Sequence, residues 1–209
     1  MMLALYGRKN FGQAYVSAAL GYGWHDITTR RTVTVSGTDV LTSTFTADDL
    51  AGRIEGGYRL ALDEQTGLTP FAAYVGQRFA TPAYAETSAS GSANFALAYA
   101  ENDSLASHSE LGGRLDRDFA VGAQTLSLEG MLAWAHQLNE RPSAQAAFLD
   151  LPGSGFVLLG VRPAVDTALL GLGLQMHDTS GLVYGVRAQD QTGGGTDVIT
   201  GTLNLAYRW

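Results

Sequence analysis

The stretch Thr202 to Trp209, TLNLAYRW, alternates without a break: Leu203, Leu205, Tyr207 and Trp209 fall on one side, and Thr202, Asn204, Ala206 and Arg208 on the other. A period of two marks a β-strand with one apolar and one polar face. Here the apolar face ends in aromatic rings. Such a face invites association in water, whereas aromatic rings favour a membrane-water interface. What the whole chain can fold into depends on whether its other segments repeat this pattern.

They do. In Ala14 to Val35 the residues Val16, Ala18, Leu20, Tyr22 and Trp24 share one face, and the far end, DITTRRTVTVSG, turns polar as a strand would beyond a bilayer. In Gly52 to Leu62, Ile54, Tyr58 and Leu60 oppose Arg53, Glu55 and Arg59. In Leu105 to Phe119, His108, Glu110, Arg114 and Asp116 share a face; in Thr125 to Leu138, Leu126, Leu128, Leu132 and Trp134 oppose Ser127, Glu129 and Ala133. Asp166 to Met176 and Gly181 to Gln189 alternate in the same way, with Arg187 on the polar side of the latter. Charges gathered on one face, as Arg53, Glu55 and Arg59 are, would meet water in a sandwich and line the lumen in a barrel.

Composition narrows the choice. Across 209 residues the net charge is -7, with 13 Lys and Arg against 20 Asp and Glu, so no basic footprint exists for a nucleic-acid partner. Mean hydropathy is +0.01, an average that alternation produces by cancellation. No run approaches the roughly 18 consecutive apolar residues of a transmembrane helix. The chain has 26 glycines and no cysteine, which excludes disulfides, zinc-thiolate sites and cysteine nucleophiles. The opening MMLALYGRKNFG lacks the basic and apolar regions of a secretion signal, so the chain is expected to be a fragment or to carry a misplaced start.

Turns are expected at Asn10 to Gln13, Thr46 to Asp49, Asp63 to Thr66 and Asp190 to Asp197. Ala80 to Ala93 is expected to be an exposed mobile loop, and Asn139 to Gly155 an irregular stretch. Counting Phe95 to Glu101 and Phe156 to Val161 as strands gives about eleven crossings of the ~10 residues that span an outer membrane. The reading is all-β, an antiparallel transmembrane β-barrel. Eleven is odd, and the first and last strands of an odd antiparallel set cannot pair antiparallel, so one N-terminal strand is expected to be missing.

The order and spacing of LALYGRKNFGQAYVSAALGYG, EGGYR, LTPFAAY, SELGGRL, LAWAHQLNERPSAQAAF, GFVLLGVRPAVDTALLGLGL, YGVRAQD and LNLAYRW resemble the β-barrel translocator domain of Gram-negative autotransporters (type V secretion) over nearly all of residues 1–209. The resemblance implies a barrel of about twelve strands, an even number as in bacterial barrels generally, with a pore helix leading to an N-terminal passenger. On that pattern the pore helix and the first strand are absent. It further implies an outer-membrane protein that anchors and helps export a covalently linked passenger. Its partners would be outer-membrane lipid, the β-barrel assembly machinery and the passenger itself. Leu205, Tyr207 and Trp209 match the family's terminal assembly signal. A small outer-membrane porin or adhesin-like barrel without a passenger is the alternative, and a soluble sandwich or lipocalin-like binder is a third reading that the inward charges oppose.

No enzyme emerges from the residues. His25 and Asp26 are adjacent and point to opposite faces of a strand. His108 and Glu110 form an H-x-E without the cysteine pair of a zinc deaminase, and a solvated pair is the simpler reading. Gly153-Ser154-Gly155 is not a nucleophile elbow, and Gly193 to Gly195 lacks the Lys of a phosphate loop. No cofactor, metal or nucleotide is implied. The residues expected in the lumen are Glu55, Arg59, Glu110, Arg114, Glu129 and Arg187. Those expected to face lipid are Leu20, Tyr22, Trp24, Leu128, Leu132, Trp134, Leu170, Leu172, Leu174, Tyr184, Leu205 and Tyr207.

Overall fold

The structure, a computed structural model, describes residues 1–35, 37–139 and 141–207. It is all-β, and no helix occurs among the described residues. In chain order the strands are β1 (Met2–Phe11), β2 (Ala14–Val33), β3 (Asp39–Tyr58), β4 (Leu60–Ala61) and β5 (Thr66–Thr81). Then come β6 (Tyr84–Ala85), β7 (Thr87–Ser90), β8 (Leu97–Tyr99), β9 (Asn102–Val121) and β10 (Gln124–Gln137). The last are β11 (Ser143–Phe148), β12 (Phe156–Leu159), β13 (Asp166–His177), β14 (Leu182–Gly193) and β15 (Thr196–Tyr207).

Nine strands form one curled antiparallel sheet, a half-barrel, in the order β1-β2-β3-β5-β9-β10-β13-β14-β15, with β4 and β7 attached to it. Each neighbour follows the last in sequence, so every link is a local hairpin or a return over the rim. At one end, the turn end, the links are tight. Gly12 (φ 65°) and Gly122 (φ 63°) take the positive φ at the first central position of the two-residue hairpins β1-β2 and β9-β10. Between β4 and β5, the Asp63 carboxylate accepts the backbone N–H groups of Gln65 (2.8 Å) and Thr66 (2.7 Å). At the other end, the loop end, lie the long links from β5 to β9 and from β10 to β13.

Two of the eleven expected crossings do not cross. Phe95 to Glu101 and Phe156 to Val161 contribute the short strands β8 and β12 to a separate four-stranded sheet, β12-β11-β8-β6. Phe156 to Val161 is apolar on both sides because it pairs with β11 away from the wall. The remaining nine run alternately, so β1 and β15 share a direction. Among the described residues no ladder joins them. Thr46 to Asp49 is no turn but the middle of β3, because its side chains are tied to neighbouring strands: Thr46 to Asp26 (2.8 Å), Asp48 to Tyr22 (2.8 Å) and Asp49 to Gln77 (2.9 Å). β14 runs on to Gly193 and β15 begins at Thr196, which shortens the expected last turn to Gly194 and Gly195.

Register assigns the faces. Glu55 pairs with Ala73, Ala73 with Glu110, Glu110 with Ala135 and Ala135 with Thr167, so one row runs along the concave side from β3 to β13. That side carries the packed interior, including Phe71, Ala73, Ala133, Ala135 and Leu169, with Met131 against them. The convex side carries the other parity: Leu132, Leu172 and Leu205 are 62%, 67% and 75% exposed. Exposed apolar side chains over a whole face fit a hydrocarbon environment.

Candidate functional site

Four charged residues and a tyrosine converge on the concave face. β3 supplies Arg53 and Glu55, two residues apart and so on one side; β9 supplies Glu110 and Arg114 on its matching parity. These strands are not neighbours, for β5 lies between them. Where β5 crosses, Ala73 faces both Glu55 and Glu110, and its single methyl leaves a channel that long guanidinium arms can span.

Both arms do span it. Arg114 grips Glu55 with two hydrogen bonds, Nη1 to Oε1 at 2.8 Å and Nη2 to Oε2 at 2.9 Å. Arg53 grips Glu110 in the opposite direction, Nη1 to Oε1 and Nη2 to Oε2, both at 2.8 Å. Arg53 Nη2 also reaches Glu55 Oε2 at 2.6 Å, which joins the two pairs. Tyr15 on β2 donates to Glu55 Oε1 (2.6 Å) and accepts from Arg114 (3.0 Å). His108 Nε2 lies 3.1 Å from Glu110 Oε1. The Arg114 guanidinium covers the Phe71 ring at 3.9 Å, a cation-π contact that replaces part of its lost hydration. Glu55 and Glu110 are each only 7% exposed. Two-pronged guanidinium-carboxylate pairing is what makes carboxylates tolerable at that depth.

Around this knot the remaining candidates form looser pairs on the same face. Arg59 binds Asp116, and Arg187 reaches Glu129 at 2.9 Å with side chains 52% and 31% exposed. The knot and these two pairs thus bring all six candidate residues onto one face. Leu205 and Tyr207 lie opposite, on the convex side of β15, paired with Tyr184 and Leu182 of β14; Trp209 lies outside the described residues. The twelve expected lipid-facing residues share the convex parity. Every carboxylate in the knot is held by a guanidinium. No group of three or more His, Cys, Asp or Glu able to hold a metal ion occurs among the described residues.

Arg53, Tyr15 and Phe71 were not among the sequence candidates. Arg53 carried a signal, the shared parity with Glu55, while Tyr15 and Phe71 carried none, since their partners lie 40 or more residues away. A second cluster at the loop end had no signal either. Glu86, in the stretch expected to be an exposed mobile loop, is 4% exposed. It binds Arg31 of β2, Nε to Oε1 at 2.9 Å and Nη2 to Oε2 at 2.5 Å, and accepts the Leu97 N–H at 2.9 Å. Burial pushes its carboxyl pKa up, but the Arg31 guanidinium and the Leu97 N–H outweigh burial and hold it below the ordinary range. β7 pairs with β3 in the same stretch, and β11 gives regular structure to the segment expected to be irregular.

Residues 1–189 match the family model described as Autotransporter beta-domain. The chain is also similar to an extracellular serine protease of Serratia marcescens, 29% identical over 177 residues. That match takes in 83% of this chain and 16% of the Serratia protein, so the chain spans about a sixth of that relative's length.

Proposed function

This chain belongs to the autotransporter β-domain family, and from that premise we propose that it is the membrane anchor and export conduit of a larger polypeptide. It sits in the outer membrane of a Gram-negative bacterium, the convex leucines and aromatics against lipid. A covalently linked N-terminal passenger reaches the cell surface along the concave side. Leu205, Tyr207 and Trp209 present the strand that the β-barrel assembly machinery engages. The role requires no covalent chemistry from this chain.

One observation carries the reading: a single sheet separates a convex face rich in exposed leucines and aromatics from a concave face whose buried carboxylates, Glu55 and Glu110, are each held by a guanidinium. A wall of that kind keeps a polar path wet inside lipid. The Serratia relative favours a passenger over a free-standing porin or adhesin-like barrel, since the matched part is a minor share of that protein.

The test is to express the complete reading frame containing this chain in a Gram-negative host, fractionate the membranes and treat intact cells with protease. The expected result is a heat-modifiable band in the outer-membrane fraction and cleavage of the preceding segment from outside. Recovery in the soluble fraction would overturn the proposal. An outer-membrane band with no surface-exposed preceding segment would replace it with the passenger-free barrel.

A further inference from the structure

At the loop end the distal part of the β2-β3 ribbon is packed against other segments. β2 and β3 each run for 20 residues, about twice what an outer-membrane crossing needs, and their distal halves run on past the end of the β3-β5 ladder as a ribbon edged only by the short β7. The concave side of that ribbon is covered. Leu41 and Ala47 are 0% exposed, and the Phe45 ring stacks on Tyr84 at 4.0 Å, which stacks on Tyr99 at 4.6 Å.

What covers it is the four-stranded sheet β12-β11-β8-β6. Its strands come from two different links, β6 and β8 from β5-β9, and β11 and β12 from β10-β13. Pairing of β8 with β11 therefore joins two neighbouring loop-end links into one sheet. On one side the sheet joins the wall through the chain itself, β8 (Leu97–Tyr99) running almost directly into β9 (Asn102–Val121). On the other side it is fastened by side chains. Arg31 binds Glu86 with both nitrogens and donates to the Phe95 carbonyl at 2.7 Å. Ser92 binds the Asp39 carboxylate through its N–H (2.6 Å) and hydroxyl (3.1 Å).

The sheet has little core of its own. Leu97 and Ala146 are buried, but Val157 and Leu159 on its outer strand are 57% and 63% exposed. Its strands of 2, 3, 6 and 4 residues bury too few side chains to hold firmly by themselves, so its position depends on what it is tied to. We propose that it is a lid across the loop-end mouth of the trough and that the Arg31–Glu86 pair is the latch that holds it shut. The latch suits the task because Glu86 is buried only while the lid is closed. Opening returns both charges to water, where a carboxylate and a guanidinium are each well solvated. The same opening uncovers Ala47 and the concave face beneath it.

The absence of cysteine makes single thiols unique reporters. Ala47→Cys, 0% exposed, lies two residues along the same face from Phe45, whose ring stacks on Tyr84 of the small sheet; Ala133→Cys, 4% exposed, is buried by the trough's own packing against Phe71 and Leu169. The refolded full chain carrying each reporter is reacted with a polyethylene-glycol maleimide, with and without Glu86→Ala or Arg31→Ala. The expected result is labelling at position 47 faster by about tenfold or more in either latch variant, the scale of one charge-assisted hydrogen bond, with position 133 unchanged. The double exchange Arg31→Glu with Glu86→Arg should slow position 47 again. Equal labelling of position 47 with and without the latch would overturn the proposal, as would acceleration of position 133 by the same factor, which would mean the whole sheet had loosened. The test reads lid position alone, so its outcome is separate from whether a passenger is exported.

Discussion

Arg114 holds Glu55 across an intervening strand, with both guanidinium nitrogens on both carboxylate oxygens at 2.8 and 2.9 Å. The strand they reach over contributes Ala73 at the crossing point. Three strands are thereby tied by side chains as well as by their ladders, and the size of one methyl group makes it possible.

Ala73→Leu should therefore break more than local packing. The added carbons would occupy the channel used by Arg53 and Arg114, and overpacking of this kind costs about 1 to 3 kcal/mol before any loss of ion pairing. Ala73→Gly keeps the channel open and should cost less. The midpoint of urea unfolding for the refolded chain measures both, and equal midpoints would count against a role for the channel.

Glu55→Ala and Glu129→Ala should differ sharply. Removing Glu55 leaves Arg114 without its carboxylate and cuts the link between the two ion pairs, and breaking a buried pair typically costs about 3 to 5 kcal/mol. Glu129 is partly exposed and its partner Arg187 more so, and pairs of that kind are worth about 0 to 1 kcal/mol. The same unfolding measurement ranks them, and a reversed order would show that burial does not set the strength of these pairs.

Leu205→Arg should impair folding more than Asn204→Arg. The two are adjacent on β15 and face opposite sides; an arginine on the lipid side costs roughly 2 to 4 kcal/mol near the midplane and little on the wet side. Heat-dependent mobility on a cold gel reports the folded fraction. Identical behaviour of the two variants would contradict the assignment of faces.

Acid should loosen the lid. Glu86 has a folded pKa below its unfolded value near 4.5, so its pairing contributes stability that is fully present above that value and is lost as pH falls through the folded pKa. The charged and titratable groups around it are Arg31, Tyr84 and Tyr99; the other carboxylate that fastens the segment, Asp39, acts at Ser92. Hydrogen exchange at Glu86 and Leu97, corrected for its intrinsic pH dependence, should rise below pH 4.5 in the unaltered chain. In Glu86→Gln the rise at these two positions should be much smaller.

Much of the wall was legible because alternation is a local property. Leu128, Leu132 and Trp134 against Ser127 and Glu129 need only a strand and a face to be sorted, and the ladders from β9 to β15 keep that sorting. Phe156 to Val161 was not sortable: it is apolar on both sides, and its short length and its partner β11 were decided by a segment with no periodicity of its own. Glu86 was illegible for a similar reason, since its burial depends on Arg31, 55 residues earlier.

The sequence by itself determined that this chain makes antiparallel strands with a dry face and a charged face, because side-chain direction in a strand follows from position parity alone. It also placed six charged residues on one side of the sheet, the concave one. Only the tertiary structure decided that Glu55 meets Arg114, that Ala73 lets them meet, and that two long links join into a sheet over the mouth. Those pairings depend on register between strands that are not neighbours and on contacts across tens of residues, and parity within one strand carries no information about either.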